Sequence, residues 1–119
     1  MIRYQTASLV FTGGVIGTSL RWAILESFTS YEFPWPTLLV NLIGCGLLGF
    51  LIGCKSKPAV SLLIGTGFCG GLTTFSTFSV EIATFLNDGQ NITGFAYLFF
   101  SVTGGLAIFY TGHKAGTVR

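Results

Sequence analysis

The chain has 119 residues, of which 50% are apolar and 8% are charged, and its mean hydropathy is +0.73. A water-soluble domain carries about 25% charged residues, so this chain cannot cover a water-facing surface and is predicted to lie in a membrane. The six basic residues lie near the ends of segments and form no cluster of the kind that binds nucleic acid.

Four apolar runs, separated by short polar turns, predict an all-α membrane protein with one domain of four spanning helices. A helix needs roughly 20 apolar residues to cross the hydrocarbon core. The predicted spans cover residues 7–25, 35–54, 59–86 and 92–112.

The first two spans carry helix faces formed by small residues, mainly glycine, and a few polar residues. Gly13 and Gly17 are four residues apart, which predicts a smooth face where a second helix can approach closely. Arg21 either reaches the membrane interface or lines a polar cavity. The interface is favoured because the neighbouring Trp22 is a typical interface anchor. In the second span Gly46, Gly49 and Gly53 give further small faces.

Thr37 and Asn41 are the two polar residues that interrupt the second span, and they lie one turn apart on the same face. Taken alone, Asn41 is most simply explained as a residue that makes a hydrogen bond between two helices of a bundle, as is common in membranes.

The third apolar run is about 28 residues long, which exceeds the length needed to cross the membrane. The excess fits a helix that is broken at Gly70-Gly71, although a strongly tilted helix is an alternative. A break would free backbone carbonyls, and these are tolerated at membrane depth only if they face protein, water or an ion. Hydroxyl residues follow the two glycines at Thr73, Thr74, Ser76, Thr77 and Ser79.

Phe75 and Phe78 would share one face of the resumed helix, with Glu81 one turn further along. Tyr97 and Ser101 form a polar stripe on the fourth span. Hydroxyl and amide hydrogens, together with the weakly positive edges of phenyl rings, can solvate an anion. The residues alone therefore indicate a small-ion channel or transporter.

Charged residues predict the orientation of the chain. Glu26, Glu32 and Asp88 lie on one side with Arg21 as the only basic residue nearby. The other side carries Arg3, Lys55, Lys57, Lys114 and Arg119. Because basic residues favour the cytoplasm, both termini are expected there.

Three cysteines, Cys45, Cys54 and Cys69, lie in apolar segments and are interpreted as packing residues, because no Cys/His spacing suits zinc. The single histidine, His113, is near the C-terminus. No nucleophile–base pair is visible, so an enzyme is not expected.

The segment from Gly70 to Glu81 reads GGLTTFSTFSVE and resembles the signature G-G-L-[TS]-T-F-S-T-F-S-x-E of the Fluc/CrcB fluoride channels. The resemblance extends to Arg21-Trp22, to the VNLIG segment at 40–44, and to the spacing of Tyr97 and Ser101. It covers essentially the whole chain, and a twelve-residue match is far more specific than a lone glycine motif.

The resemblance implies an antiparallel, dual-topology dimer in a bacterial plasma membrane, with two fluoride pores that both subunits build. The pore residues that it implies are Phe75, Phe78, Asn41, Thr37, Ser76, Thr77, Tyr97 and Ser101. The backbone carbonyls of Gly70 and Thr73 would hold a structural sodium ion at the dimer interface, which is not transported. Arg21 and Glu81 are further polar residues, and Glu81 is either a vestibule charge or an interfacial acid.

Two features depart from the family pattern. A second serine of the fourth span is replaced by Gly105, which puts the far half of the polar stripe in doubt. The charge bias also disagrees with insertion in both orientations. A homodimer and a heterodimer with an oppositely oriented paralogue therefore both stay open.

The leading functional hypothesis is a fluoride-selective channel that exports the anion passively and lowers its cytoplasmic concentration. A second hypothesis is a small four-span antiparallel exchanger of multidrug type for lipophilic cations, which the lack of a mid-span Glu disfavours. A third is a structural partner of a larger complex, in which the polar stripes serve packing.

Overall fold

The computed structural model describes residues 2–28 and 32–118 and consists of helices joined by short turns. Arg119, which contributed to the expected charge bias, lies outside the described residues. The helices are α1 (Ile2–Ser27), α2 (Trp35–Gly53), α3 (Pro58–Val60), a π-helical stretch (Ser61–Cys69), α4 (Gly70–Leu72), α5 (Phe75–Asn87) and α6 (Asn91–Thr117).

Four helical segments are long and apolar enough to cross a membrane, which confirms the predicted number of spans. They are Arg3–Ser27, Trp35–Gly53, Pro58–Asn87 and Asn91–Thr117. The first and last helices extend beyond the apolar runs, because the flanking residues are polar but still compatible with a helix. The described part measures 52 × 30 × 22 Å.

Prolines and positive backbone angles set the turns between the spans. Pro36 and Pro58 lie in the first turns of α2 and α3, where the missing amide costs no hydrogen bond. Lys55 (φ 48°) and Gly89 (φ 73°) adopt left-handed conformations in the two turns that flank the third span.

The third span is broken, as its length predicts, but the break lies a few residues after the expected Gly70-Gly71. Gly70 is helical (φ −63°, ψ −35°), and α4 continues to Leu72. The chain is extended at Thr73 (φ −80°, ψ 155°) and Thr74 (φ −145°, ψ 124°) before α5 begins.

The first span packs backbone to backbone against the first half of the third span (residues 58–72). A Cβ on Gly13 would overlap the carbonyl oxygen of Leu63, and one on Gly17 would overlap that of Phe68. A Cβ on Gly71 would lie 2.5 Å from the Gly14 carbonyl oxygen. The glycines thus serve close helix approach, which confirms the small face predicted on the first span.

The second and fourth spans form an equivalent pair. A Cβ on Gly49 or Gly53 would overlap the carbonyl oxygens of Phe109 and His113, respectively. From the opposite side, a Cβ on Gly112 would overlap the Gly46 carbonyl oxygen. Two tightly crossed helix pairs therefore fix the register of all four spans.

An aromatic cluster joins α5 to α6 at the end of the molecule where these two helices meet. Phe78, Phe85 and Tyr97 are buried together, with Phe33 and Ile82 packed against them. The cluster anchors α5 to α6, whereas the 58–72 half of the third span is anchored to α1. The break therefore lies between two anchored segments.

Neighbouring glycines of α1 provide a matched test of the backbone contact. We expect Gly13→Ala to destabilise the folded chain by about 1–3 kcal/mol, because its methyl overlaps the fixed Leu63 carbonyl. Gly14→Ala has only the Gly67 carbonyl oxygen nearby, at 3.9 Å, and should be neutral or slightly stabilising. Thermal unfolding in detergent compares the two, and equal midpoints would contradict the packing.

Candidate functional site

The break at Thr73–Thr74 is held by two side chains from other spans. The Thr74 amide donates to Asn41 Oδ1 (2.7 Å), and Asn41 Nδ2 donates to the Thr74 carbonyl (3.0 Å). A nitrogen of the Arg21 guanidinium donates to the Thr73 carbonyl oxygen (2.9 Å). The Thr73 carbonyl and both backbone groups of Thr74 therefore have side-chain partners, as an apolar surrounding requires.

Asn41 makes a hydrogen bond between spans, which is the simpler of the two roles considered for it. Its two bonds to Thr74 fix the orientation of the amide, since one needs the oxygen and the other the nitrogen. One hydrogen of the Asn41 NH₂ group is used in this pairing. The residue also lines the larger cavity described below.

The expected position of Arg21 at the membrane interface stays a prediction, and the structure shows which group its side chain contacts. Trp22 is 68% exposed, in keeping with an anchor, but Arg21 is half-buried and turns toward the break. The freed carbonyls at the C-terminal end of the 58–72 half-helix carry partial negative charge, which attracts the guanidinium. Arg21 therefore places a fixed positive charge beside the break.

Thr74 begins the second half of the third span. Its buried hydroxyl accepts a hydrogen bond from the Thr77 amide (3.2 Å), which makes Thr74 the N-cap of α5. The hydroxyls of Ser76 and Thr77 lie 3.2 Å from the same oxygen. The two predicted pore hydroxyls thus surround the cap, and Ser76 is exposed on the helix surface.

Thr74 is missing from the residues predicted for the site. Its signal was present in the sequence, because a threonine before a helical run is a typical N-cap. From the sequence, Thr74 is named only as one of the hydroxyl residues after the glycines and is assigned no cap.

The two phenylalanines face different surroundings. The rings of Phe75 and Phe78 lie 5.9 Å apart at 46°, so they contact each other at a tilt and do not stack. Phe78 is 7% exposed, and its ring meets that of Tyr97 edge-on at 5.1 Å. Phe75 is 80% exposed, so within this chain only Phe78 is enclosed.

Glu81 lies within the polar cluster. Thr37 donates its hydroxyl hydrogen to Glu81 Oε1 (2.7 Å), and the Tyr97 hydroxyl donates to Oε2 (2.8 Å). Thr37 and Tyr97 are both fully buried. Two of the predicted pore hydroxyls therefore converge on the carboxyl group of Glu81.

Two cavities are lined by residues of this cluster. The larger, of about 720 Å³, is lined in part by Asn41, Phe78 and Ser101. The smaller, of about 430 Å³, is lined in part by Thr37 and Glu81. Thr37 and Asn41 are one helical turn apart, so the two cavities adjoin neighbouring turns of α2.

Ser101 and Gly70 face the larger cavity, as does Thr73. The Ser101 hydroxyl oxygen is fully buried and has no hydrogen-bond partner among the described residues. Gly70 is exposed, with open space where its side chain would be. The Thr74 amide, which would close the helical turn on the Gly70 carbonyl, donates to Asn41 and leaves that carbonyl without its helical bond.

Metal-ligating side chains do not gather in the part of the chain that the structure describes. Among the described residues no three of His, Cys, Asp and Glu come together. The three cysteines are free, in keeping with packing roles.

Comparison with known proteins finds one family. A sequence model described as "CrcB-like protein, Camphor Resistance (CrcB)" matches residues 8–113. The protein named "Fluoride-specific ion channel FluC" from Chlorobium phaeobacteroides (strain BS1) is 41% identical over 117 residues, covering 92% of this chain and 91% of that protein. "Fluoride-specific ion channel FluC 2" from Lactobacillus johnsonii is 40% identical over 121 residues, covering 99% of both chains.

The bond from Asn41 to the break can be tested by replacing its amide donor with an oxygen in a side chain of nearly the same shape. Asn41→Asp keeps the acceptor for the Thr74 amide but points an oxygen at the Thr74 carbonyl, 3.0 Å away. We expect a loss of about 1–3 kcal/mol of stability from the buried carbonyl left without a donor. Asn91→Asp, at the exposed start of α6, is the control and should change little. Equal unfolding midpoints for the two variants would refute the bracing role.

Proposed function

The chain belongs to the CrcB family, and we propose from this membership that it is a fluoride-selective channel through which the anion leaves the cell passively. The observation that carries the proposal is about 40% identity over nearly the whole chain to proteins named fluoride-specific ion channels. An ion channel is a non-enzyme kind of function, and the proposal includes no catalytic step.

The proposed path joins the two cavities past a layer of side chains that includes Phe78. An anion in the larger cavity meets the second amide hydrogen of Asn41 and the unpartnered hydroxyl of Ser101. The edge of an aromatic ring is weakly positive, and the Phe78 ring, which is 7% exposed and lines this cavity, offers such an edge. The hydroxyls of Thr37 and Tyr97 receive the ion on the other side of the layer.

Glu81 orients these last two hydroxyls. In the absence of an ion, both hydroxyl hydrogens point at the carboxylate, which holds Thr37 and Tyr97 in place. A passing fluoride ion competes with the carboxylate as the acceptor. Because the two anions repel each other, the ion does not dwell beside Glu81, and conduction requires such weak binding.

Arg21 supplies the attraction that offsets this repulsion. Its guanidinium lies at the Thr73 carbonyl, which lines the larger cavity. A fixed positive charge near an apolar cavity wall raises the local concentration of anions. The proposed path thus has a cationic approach and an acidic exit.

We propose that the working channel is an antiparallel dimer in a bacterial plasma membrane. The exposed Phe75 ring and the open surface at Gly70 lie on the rim of the larger, mostly apolar cavity. A second subunit would cover this surface and complete the enclosure around Phe75. The basic residues at the ends of spans favour termini in the cytoplasm for this chain, so its partner is either a second copy that inserts oppositely or a paralogue with reversed bias.

A structural sodium ion at the centre of such a dimer fits the backbone of the break. The Gly70 carbonyl is released from its helical bond, and the Thr73 carbonyl keeps one lone pair beyond its bond to Arg21. Two such pairs of oxygens around a two-fold axis form a cage of the kind that hard cations prefer. When bound, the ion would supply positive charge and join the two breaks, and it is not transported.

Fluoride efflux from liposomes that hold this chain alone tests the proposal, with potassium and valinomycin setting the voltage. We expect fast fluoride efflux, no chloride efflux, and loss of fluoride efflux when a large organic cation replaces sodium. Phe78→Ile should slow efflux by about tenfold or more, because it removes the ring edge from the path. Phe99→Ile, at an exposed position of α6, is the control.

If the chain alone gives no fluoride efflux, there are two explanations, and a second reconstitution distinguishes them. Efflux that appears on adding a relative with the reverse Lys/Arg bias identifies a heterodimer. No efflux in either preparation, or equal passage of chloride, contradicts the proposed function.

A further inference from the structure

Gly105 interrupts the row of hydroxyls on the fourth span. Tyr97 and Ser101 present hydroxyls one turn apart, but the next turn carries a glycine. The folded chain places another polar group at this point, the thiol of Cys45 in the second span. A Cβ built on Gly105 would lie 3.4 Å from Cys45 Sγ, so the sulfur adjoins the space of the missing side chain.

The register between the second and fourth spans is fixed at this level. Backbone contacts at Gly49 with Phe109 and at Gly112 with Gly46 follow directly after the Cys45–Gly105 contact. Neither helix can slide by a turn without a clash of backbone atoms. The thiol therefore stays beside Gly105.

Cys45 and Ser101 share the wall of the larger cavity with Asn41 and Phe78. The Ser101 hydroxyl oxygen is fully buried and has no partner among the described residues, although buried hydroxyls are nearly always hydrogen-bonded. Cys45 is only half-buried, so part of its side chain is open. A buried donor without a partner next to a half-open thiol marks a place for a ligand that accepts hydrogen bonds.

We propose that Cys45 is a positioning residue of the ion path, whose thiol continues the row of donors past Ser101 where Gly105 contributes none. The inference rests on the proposed fluoride conduction. A thiol is a weak hydrogen-bond donor with a polarisable sulfur, so it binds an ion weakly enough for the ion to move on along the path. The thiol keeps its proton throughout, since fluoride is a weaker base than a thiolate.

The test compares fluoride efflux of Cys45→Ser, Cys45→Ala and the double variant Cys45→Ala/Gly105→Ser. Serine restores a donor at 45, and the double variant moves the donor to the facing helix. We expect Cys45→Ser and the double variant near the wild-type rate, and Cys45→Ala slower by about tenfold, the equivalent of one hydrogen bond. Cys54→Ala is the matched control, because the Cys54 thiol bonds to the Leu51 carbonyl (3.5 Å) outside this row.

A purely structural role makes a different prediction, because alanine and serine are similar in size and would then behave alike. The inference is overturned if Cys45→Ala conducts fluoride at the wild-type rate, or if Cys45→Ser is as slow as Cys45→Ala. In either case, fluoride efflux by the wild-type chain still supports the proposed function. If Cys45→Ala fails to fold, methylmercury is applied to the Cys54→Ala/Cys69→Ala chain. Block of efflux upon stoichiometric labelling supports the inference, and unchanged efflux overturns it.

Discussion

A broken helix inside a membrane must find partners for its freed backbone groups, and the structure of this chain depends on how it meets that demand. Hydrocarbon offers no hydrogen bonds, and each unsatisfied group costs several kcal/mol. Asn41 pairs with both backbone groups of Thr74, and Arg21 donates to the Thr73 carbonyl. The partners come from the first and second spans, so the break ties three spans together. It also leaves the Asn41 amide at the wall of a cavity and the Arg21 guanidinium at the carbonyl of Thr73, another residue of that wall.

The glycine contacts make this pairing possible, because they decide which residues meet. Gly17 touches the backbone of the third span at Phe68 and Leu72, and Arg21 lies one turn further along α1, level with Thr73. In the second span, a Cβ on Gly44 would overlap the Thr73 side chain, and Asn41 lies nearly one turn before it. Close backbone packing is thus the means by which a small bundle, with no soluble part, places side chains accurately enough to bind an ion.

The sequence predicted the four spans, the interruption of the third, and the small faces, because these depend on length and local spacing. It misplaced the break because Gly70 and Gly71 are weak helix residues in isolation, whereas in the structure Gly71 packs against α1, the helix continues to Leu72, and the break lies at Thr73–Thr74. The roles of Arg21 and Glu81 depend on contacts 52 and 44 residues away, which no local pattern contains. The π-helical stretch Ser61–Cys69 likewise had no signal in the apolar pattern.

Amide hydrogen exchange at Thr74 tests most directly whether the break is held by side chains. The chain would be labelled with ¹⁵N-threonine, placed in nanodiscs and followed by NMR in D₂O. The account predicts that the Thr74 amide, although it lies outside both helices, exchanges slowly, and that Asn41→Ala accelerates it while Thr84 in mid-α5 is unaffected. Fast exchange at Thr74 in the wild-type chain, or slow exchange that survives Asn41→Ala, would contradict the account.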